Sequence, residues 1–210
     1  MVSRLLHGHR AFLKNYARSE KAYLKRLAED GQAPAAMYIG CSDSRVIPEL
    51  LMRTKPGELF VVRNVANVVP VQGDTATSVG AALEFAVGVL GVRDVIVCGH
   101  DQCGGVKASV AGVQTVSHLP SLADWLKRIE PAATAAKEAS VGFDDDWQLR
   151  YAVEENVLLQ LENLATYPVV QQALAEERIA LHGWVYDLHS SRVRVFDPEE
   201  VAFLAVEELV

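Results

Sequence analysis

Only three of the 210 residues are cysteine, at 41, 98 and 103, an odd number without the regular spacing of a disulfide framework. A disulfide-stapled secreted scaffold is therefore excluded, and reduced thiols are the expected state. Positive charge is scarce as well: 20 Lys and Arg stand against 27 Asp and Glu, and no basic stripe is dense enough to follow a phosphate backbone. A small molecule or another protein is the expected partner, not a nucleic acid. The most apolar window, 78–98, is interrupted by Glu84, Arg93 and Asp94, so no membrane span is expected. No charged segment followed by an apolar run opens the chain, and the cytoplasm is the expected compartment. Linkers and internal repeats are missing too. Half the residues are hydrophobic, which predicts one core in 35–210, preceded by a helical arm, 1–34.

What is present is a pair of apolar runs that each end on glycine and a soft metal ligand. Val95-Ile-Val-Cys-Gly-His100 continues into Asp-Gln-Cys-Gly-Gly105, and Ala35-Ala-Met-Tyr-Ile-Gly-Cys41 continues into Ser-Asp-Ser-Arg45. Runs of β-favouring residues without polar interruption suit strands buried on both faces of a parallel sheet. Leu59–Arg63 is a third such run. Between it and Val95, residues 75–90 carry apolar positions at helical spacing and stop at Gly91, which makes a strand-helix-strand unit. The fold class that follows is α/β, with a mainly parallel central sheet flanked by helices, and such sheets gather their sites at the carboxyl ends of strands. Further helices are predicted at about 46–52, 105–111, 121–137, 146–166 and 168–177, strands at 179–186 and 193–196, and a last helix after Pro198. In the arm, Leu5, Phe12, Tyr16, Tyr23 and Leu27 form one narrow stripe. That stripe suits either an ordinary amphipathic helix or an arm laid on a second subunit.

Taken singly, Cys41 is a small buried hydrophobe, Asp43 a helix cap and Arg45 a surface charge. Together, Cys-x-Asp-x-Arg and a later His-x-x-Cys, both on strand ends, point to a metal. Two thiolates from Cys41 and Cys103 with one neutral imidazole from His100 make a formally neutral Zn²⁺ complex with its fourth position free. Cys98, two residues before His100 inside the strand, is expected in the core. Asp43 and Arg45 are close enough for a bidentate ion pair. A carboxylate so held would either orient a water on the metal or move in as a fourth ligand. Two thiolates make that water less acidic than an all-histidine site would, so activity should favour neutral to alkaline pH.

Gly40-Cys-Ser-Asp-Ser-Arg-Val46, Gly57-Glu-Leu-Phe-Val-Val-Arg-Asn-Val-Ala-Asn67 and Cys98-Gly-His-Asp-Gln-Cys-Gly-Gly105 resemble the motifs of the β-class carbonic anhydrases. The likeness runs from Gln32 to about Tyr186. It implies one Zn²⁺ per chain on Cys41, His100 and Cys103, the Asp43–Arg45 dyad, and reversible hydration of carbon dioxide to bicarbonate by hydroxide on the metal. It also implies a homodimer or dimer of dimers, with Gln32 and the Gly104 N–H at the substrate and Phe60, Val65 and Phe85 lining an apolar pocket across the dimer interface. A non-catalytic bicarbonate site in some members maps to Tyr38, Arg63 and Tyr186, with Tyr38 standing where those members carry Trp.

Rival readings differ in chemistry. A thiol phosphatase needs Cys-x₅-Arg around its phosphate, whereas here the spacing is Cys-x₃-Arg with an acid between. A carbon disulfide or carbonyl sulfide hydrolase would use the same ligands, and a non-catalytic zinc protein would fill the fourth position. None of His7, His9, His118, His182 and His189 is singled out by spacing as a proton shuttle.

Overall fold

The computed structural model describes residues 1–75 and 78–208. The arm is three helical pieces rather than one: α1 (Val2–Lys14), α2 (Tyr16–Ser19) and α3 (Lys21–Asp30), broken at Asn15 and Glu20. None of the three buries a residue. The body follows as β1 (Ala36–Cys41), α4 (Pro48–Leu51), β2 (Leu59–Asn64), α5 (Ser78–Leu83), which runs on in π-helical turns over Glu84–Leu90, and β3 (Asp94–His100). Next come α6 (Gly104–Ala111), α7 (Pro120–Leu126), α8 (Glu130–Ala139), α9 (Asp145–Leu164) and α10 (Pro168–Ala175), then β4 (Ala180–Tyr186), β5 (Val193–Asp197) and β6 (Ala202–Ala205). The helix predicted over 75–90 includes Ala76 and Thr77, which lie outside the described residues. No helix among the described residues is long and apolar enough to cross a membrane.

The sheet has six strands in the order β2-β1-β3-β4-β5-β6, parallel from β2 to β4 and antiparallel beyond. Alternation sorts each strand between two faces. Met37, Ile39 and Cys41 of β1 join the larger core with Val95 and Val97 of β3, while Tyr38 packs in a smaller cluster with Val46, Ile96, Cys98 and Tyr186. Helix α9 lies on the larger-core face. Its close approach needs glycine beneath it, since a Cβ on Gly99 would sit 2.9 Å from a Val157 methyl and one on Gly183 would sit 3.0 Å from the other. Asp144 caps this helix by accepting from the Trp147 N–H at 2.7 Å.

Two predicted elements are corrected. The helix at 121–137 is split, with a 3₁₀ turn at Lys127–Ile129 between α7 and α8. Pro131 has no N–H to give and its ring crowds the carbonyl of Lys127, so the helix restarts with Pro131 in its first turn. No helix starts at Pro198; beyond it the described residues form only a short 3₁₀ turn, Val206–Glu208, after β6. The Asp197 carboxylate instead accepts from the N–H groups of Glu199 and Glu200 at 2.8 and 3.2 Å, and the chain turns back into β6. Phe196 and Phe203 then face each other across the hairpin, ring centroids 5.4 Å apart.

Candidate active site

Cys41 ends β1, His100 ends β3, and Cys103 immediately precedes α6, so three ligating atoms from three segments meet at the carboxyl edge of the sheet. All lie within 4.8 Å of one another, the two sulfurs 3.9 Å apart, and all three residues are buried. His100 Nδ1 is 2.9 Å from the Asp101 carbonyl. A carbonyl only accepts, so Nδ1 carries the proton and Nε2 keeps its lone pair. That Nε2 is buried without a hydrogen-bond partner. A buried, orphaned imidazole nitrogen facing two sulfurs is the donor set of a zinc site, and the residues fit that ion. At Gly104 an added Cβ would meet nothing within 4 Å, so the space beside Cys103 is open.

The electrostatics favour one thiolate before any metal binds. The Cys103 S–H, backbone N–H groups and, once it carries a second proton, the His100 ring hold the Cys41 thiol well below the usual thiol range against its burial. Cys103 is pushed up in turn, by that same bond and by burial, so the sulfur pair shares one proton. Burial opposes a proton on His100, but the Cys41 thiolate outweighs it and its affinity for a proton rises. The first N–H groups of α6, from Gly105 and Val106, favour charge on Cys103.

Beside this cluster Asp43 and Arg45 form the bidentate pair, Nε to Oδ1 at 2.9 Å and the far guanidinium nitrogen to Oδ2 at 2.7 Å. The Arg45 backbone N–H adds a third bond at 2.9 Å. Arg45 thereby holds the Asp43 carboxyl well below the usual carboxylate range. Val65 reaches the cluster from another side: a Cβ on Gly105 would lie 3.0 Å from its methyl. Gln32, Phe60 and Phe85 are not brought to it. Gln32 is exposed before β1 begins, and Phe60 pairs with Met37 near the amino end of that strand, with the Phe85 ring tilted against it, centroids 6.0 Å apart. Cys98 points to the opposite face from Cys41. His182 is bound to Asp94 at 2.8 Å near the strand starts, remote from the ligands.

Residues 36–193 match the family model described as carbonic anhydrase. This chain belongs to the β-carbonic anhydrase family. A carbonic anhydrase of Pseudomonas aeruginosa is 42% identical over 204 residues, covering 97% of this chain and 91% of that protein. The β-carbonic anhydrase CcaA superposes with a TM-score of 0.94 at 35% identity, over 97% of this chain and 98% of that one. A tetrameric β-carbonic anhydrase from Sordaria macrospora superposes at 0.81 and 28% identity, over 92% and 95%. The fold is therefore that of this enzyme family throughout, with the metal-ligand motifs inside the matched span.

Reading the sequence for ligands missed a second tier of the carbonic anhydrase site. Asn156, Gln160, Asn163 and Tyr167 are buried along and just beyond α9, and all four side chains bond the 66–70 segment behind Cys41. The signal was there as polar residues at spacings of four, three and four within an apolar stripe.

Proposed function

We propose that this chain hydrates carbon dioxide reversibly, with Zn²⁺ held by Cys41, His100 and Cys103. The observation that carries the proposal is the buried triad with its orphaned His100 Nε2 beside an Arg-bound carboxylate. When bound, zinc supplies a Lewis acid that lets water lose a proton near neutral pH. Every other task falls to the chain. Asp43, ionised by Arg45, stands ready to accept a hydrogen bond and orient the attacking oxygen, and the open space at Gly104 admits a small linear substrate. Val65 gives the cluster an apolar neighbour, which suits an uncharged molecule.

The site is completed by a second copy in this reading. Gln32 precedes β1, and Cys41 ends it five residue steps beyond Ala36, about 17 Å at roughly 3.3–3.4 Å per residue. Gln32, Phe60 and Phe85 therefore serve the partner's pocket. The arm (1–34) supports this: Leu5 is 69% exposed, Leu6 59% and Leu13 52%, apolar side chains that one chain leaves uncovered. A homodimer is the minimum unit, and the tetrameric Sordaria relative is consistent with a dimer of dimers. Three unpaired thiols support reading the chain as working in a reducing compartment, the cytoplasm.

Stopped-flow hydration of carbon dioxide by protein with measured zinc content tests the reading. Turnover proportional to zinc supports it; zinc-loaded protein without turnover would leave a non-catalytic zinc protein. Faster turnover of carbonyl sulfide or carbon disulfide than of carbon dioxide would replace the substrate.

A further inference from the structure

Gln102 lies between His100 and Cys103 in the chain and has φ 58°, a left-handed conformation that crowds any residue carrying a Cβ. The peptide joining it to Asp101 carries the carbonyl that accepts from His100 Nδ1 at 2.9 Å. A peptide is planar, so that carbonyl turns only as ψ of Asp101 and φ of Gln102 rotate together. Relaxing Gln102 to negative φ would therefore swing the carbonyl off the imidazole. The comfort of Gln102 and the orientation of His100 are opposed, and strain of this kind persists only where the surroundings over-determine it.

The restraint comes from the rest of Asp101. Its N–H donates to the Tyr186 carbonyl at the end of β4, 2.9 Å away. Its carboxylate, on a residue only 8% exposed, accepts from one terminal nitrogen of Arg194 on β5 at 3.4 Å. The other terminal nitrogen of Arg194 is given to Glu154 of α9. One rigid guanidinium thus spans two acids from different elements, a shape that the single ammonium of lysine lacks. We propose that Asp101 and Arg194 are positioning residues for His100: the ion pair, with the bond to Tyr186, holds the 101–102 peptide against the strain at Gln102 and keeps its carbonyl on Nδ1. The imidazole is thereby fixed with Nε2 toward the two sulfurs. The proposal rests on the reading of His100 as a metal ligand and goes beyond it to what aims that ligand.

The test uses Arg194→Lys and Gln102→Val, each alone, and Arg194→Lys with Gln102→Gly, in zinc-loaded protein carrying ¹⁵N in its histidines. In wild type the His100 ring N–H should give a slowly exchanging proton resonance, because it is buried and hydrogen-bonded. Arg194→Lys keeps the charge but loses the fork, so that resonance should move and exchange faster. Zinc affinity in competition with a chelator should fall roughly tenfold or more, the usual effect of losing an outer-shell partner. A β-branched residue tolerates positive φ worst, so Gln102→Val should show both effects with the ion pair intact; should Arg194→Lys fail to fold, this variant decides. Glycine adopts positive φ without strain, so Gln102→Gly should restore most of what Arg194→Lys loses. An ion pair with a structural role alone would lower the denaturation midpoint and leave the ring resonance and the affinity as they were. That result, or losses that Gln102→Gly leaves untouched, would overturn the proposal. His100→Ala separates the two readings: if that variant keeps its zinc, the ligand reading has failed. If it loses zinc while Arg194→Lys and Gln102→Val hold theirs as wild type does, only the positioning has failed.

Discussion

Asp43 Oδ2 stands 3.9 Å from His100 Nε2, yet both oxygens of that carboxylate are held by Arg45. The acid is within a small movement of the metal position and is restrained from making it. Arg45 is more than half exposed, so the restraint is a matter of geometry more than of stability. In Arg45→Ala the carboxylate should drift or ligate the metal, and turnover should fall roughly 10- to 100-fold while zinc stays near one per chain. Stopped-flow rates with zinc analysis on one sample check this; wild-type turnover would make the pair purely structural.

The ligand set predicts a contrast between two cysteines only five positions apart. Cys103→Ala and Cys41→Ala should each lose zinc and activity, because two ligands hold the ion far more weakly than three. Cys98 lies on the other face of the sheet, and burial pushes its thiol up to about 12. Cys98→Ala should keep both zinc and turnover. Elemental analysis showing zinc lost from Cys98→Ala and retained by Cys103→Ala would reverse the assignment.

Metal uptake should release protons in a countable way. In the metal-free site the sulfur pair shares one proton, which sits on Cys103 because the Cys41 thiol is lowered while that thiolate and burial push Cys103 up. Zinc needs both sulfurs ionised. Binding at pH 8 should therefore expel about one proton per chain from Cys103. More should be expelled at lower pH, where His100, its affinity for a proton raised, is charged. Affinity must then fall as pH falls, about tenfold per unit for each proton released. Indicator-dye titration against zinc reads the number directly, and zero protons at pH 8 would refute the shared-proton description.

How far the sequence predicts this site depends on how local each feature is. Cys41 and His100 end apolar runs and Cys103 follows three residues on, and an uninterrupted apolar run with a glycine stop is a short-range signal. Asp43 and Arg45 are two residues apart, so their pairing needs no tertiary information. The hydrogen bond from Asn156 to the Ala66 carbonyl spans 90 residues, and polar side chains inside an apolar helical stripe do not name their partner. The final strand was misread for a related reason: Pro198 followed by two acids suits a helix start, and Asp197 accepts from the N–H groups of Glu199 and Glu200 as a cap would, but the chain completes one turn and pairs back as β6. Its pairing with β5 is a contact between elements, invisible to a local reading.

The last prediction concerns Tyr38, whose hydroxyl is buried beside the Cys98 thiol without a hydrogen-bond partner. Desolvation pushes that phenol above its ordinary range, so it remains neutral. A buried polar group without a partner costs about 1–3 kcal/mol, and Tyr38→Phe should leave stability unchanged or raise it. The same variant probes the mapped bicarbonate site. Arg63 already gives its Nε to the Cys41 carbonyl at 3.0 Å and one terminal nitrogen to the carbonyls of Asp43 and Val46 at 2.6 and 2.7 Å. An arginine so engaged, next to a ring packed over Gly40, leaves little to hold an anion. Bicarbonate inhibition should therefore be equal in wild type and Tyr38→Phe, with no component beyond competition by product. If the substitution lowered the denaturation midpoint and abolished a cooperative inhibition by bicarbonate, the hydroxyl would have a partner after all, and that partner would be the anion.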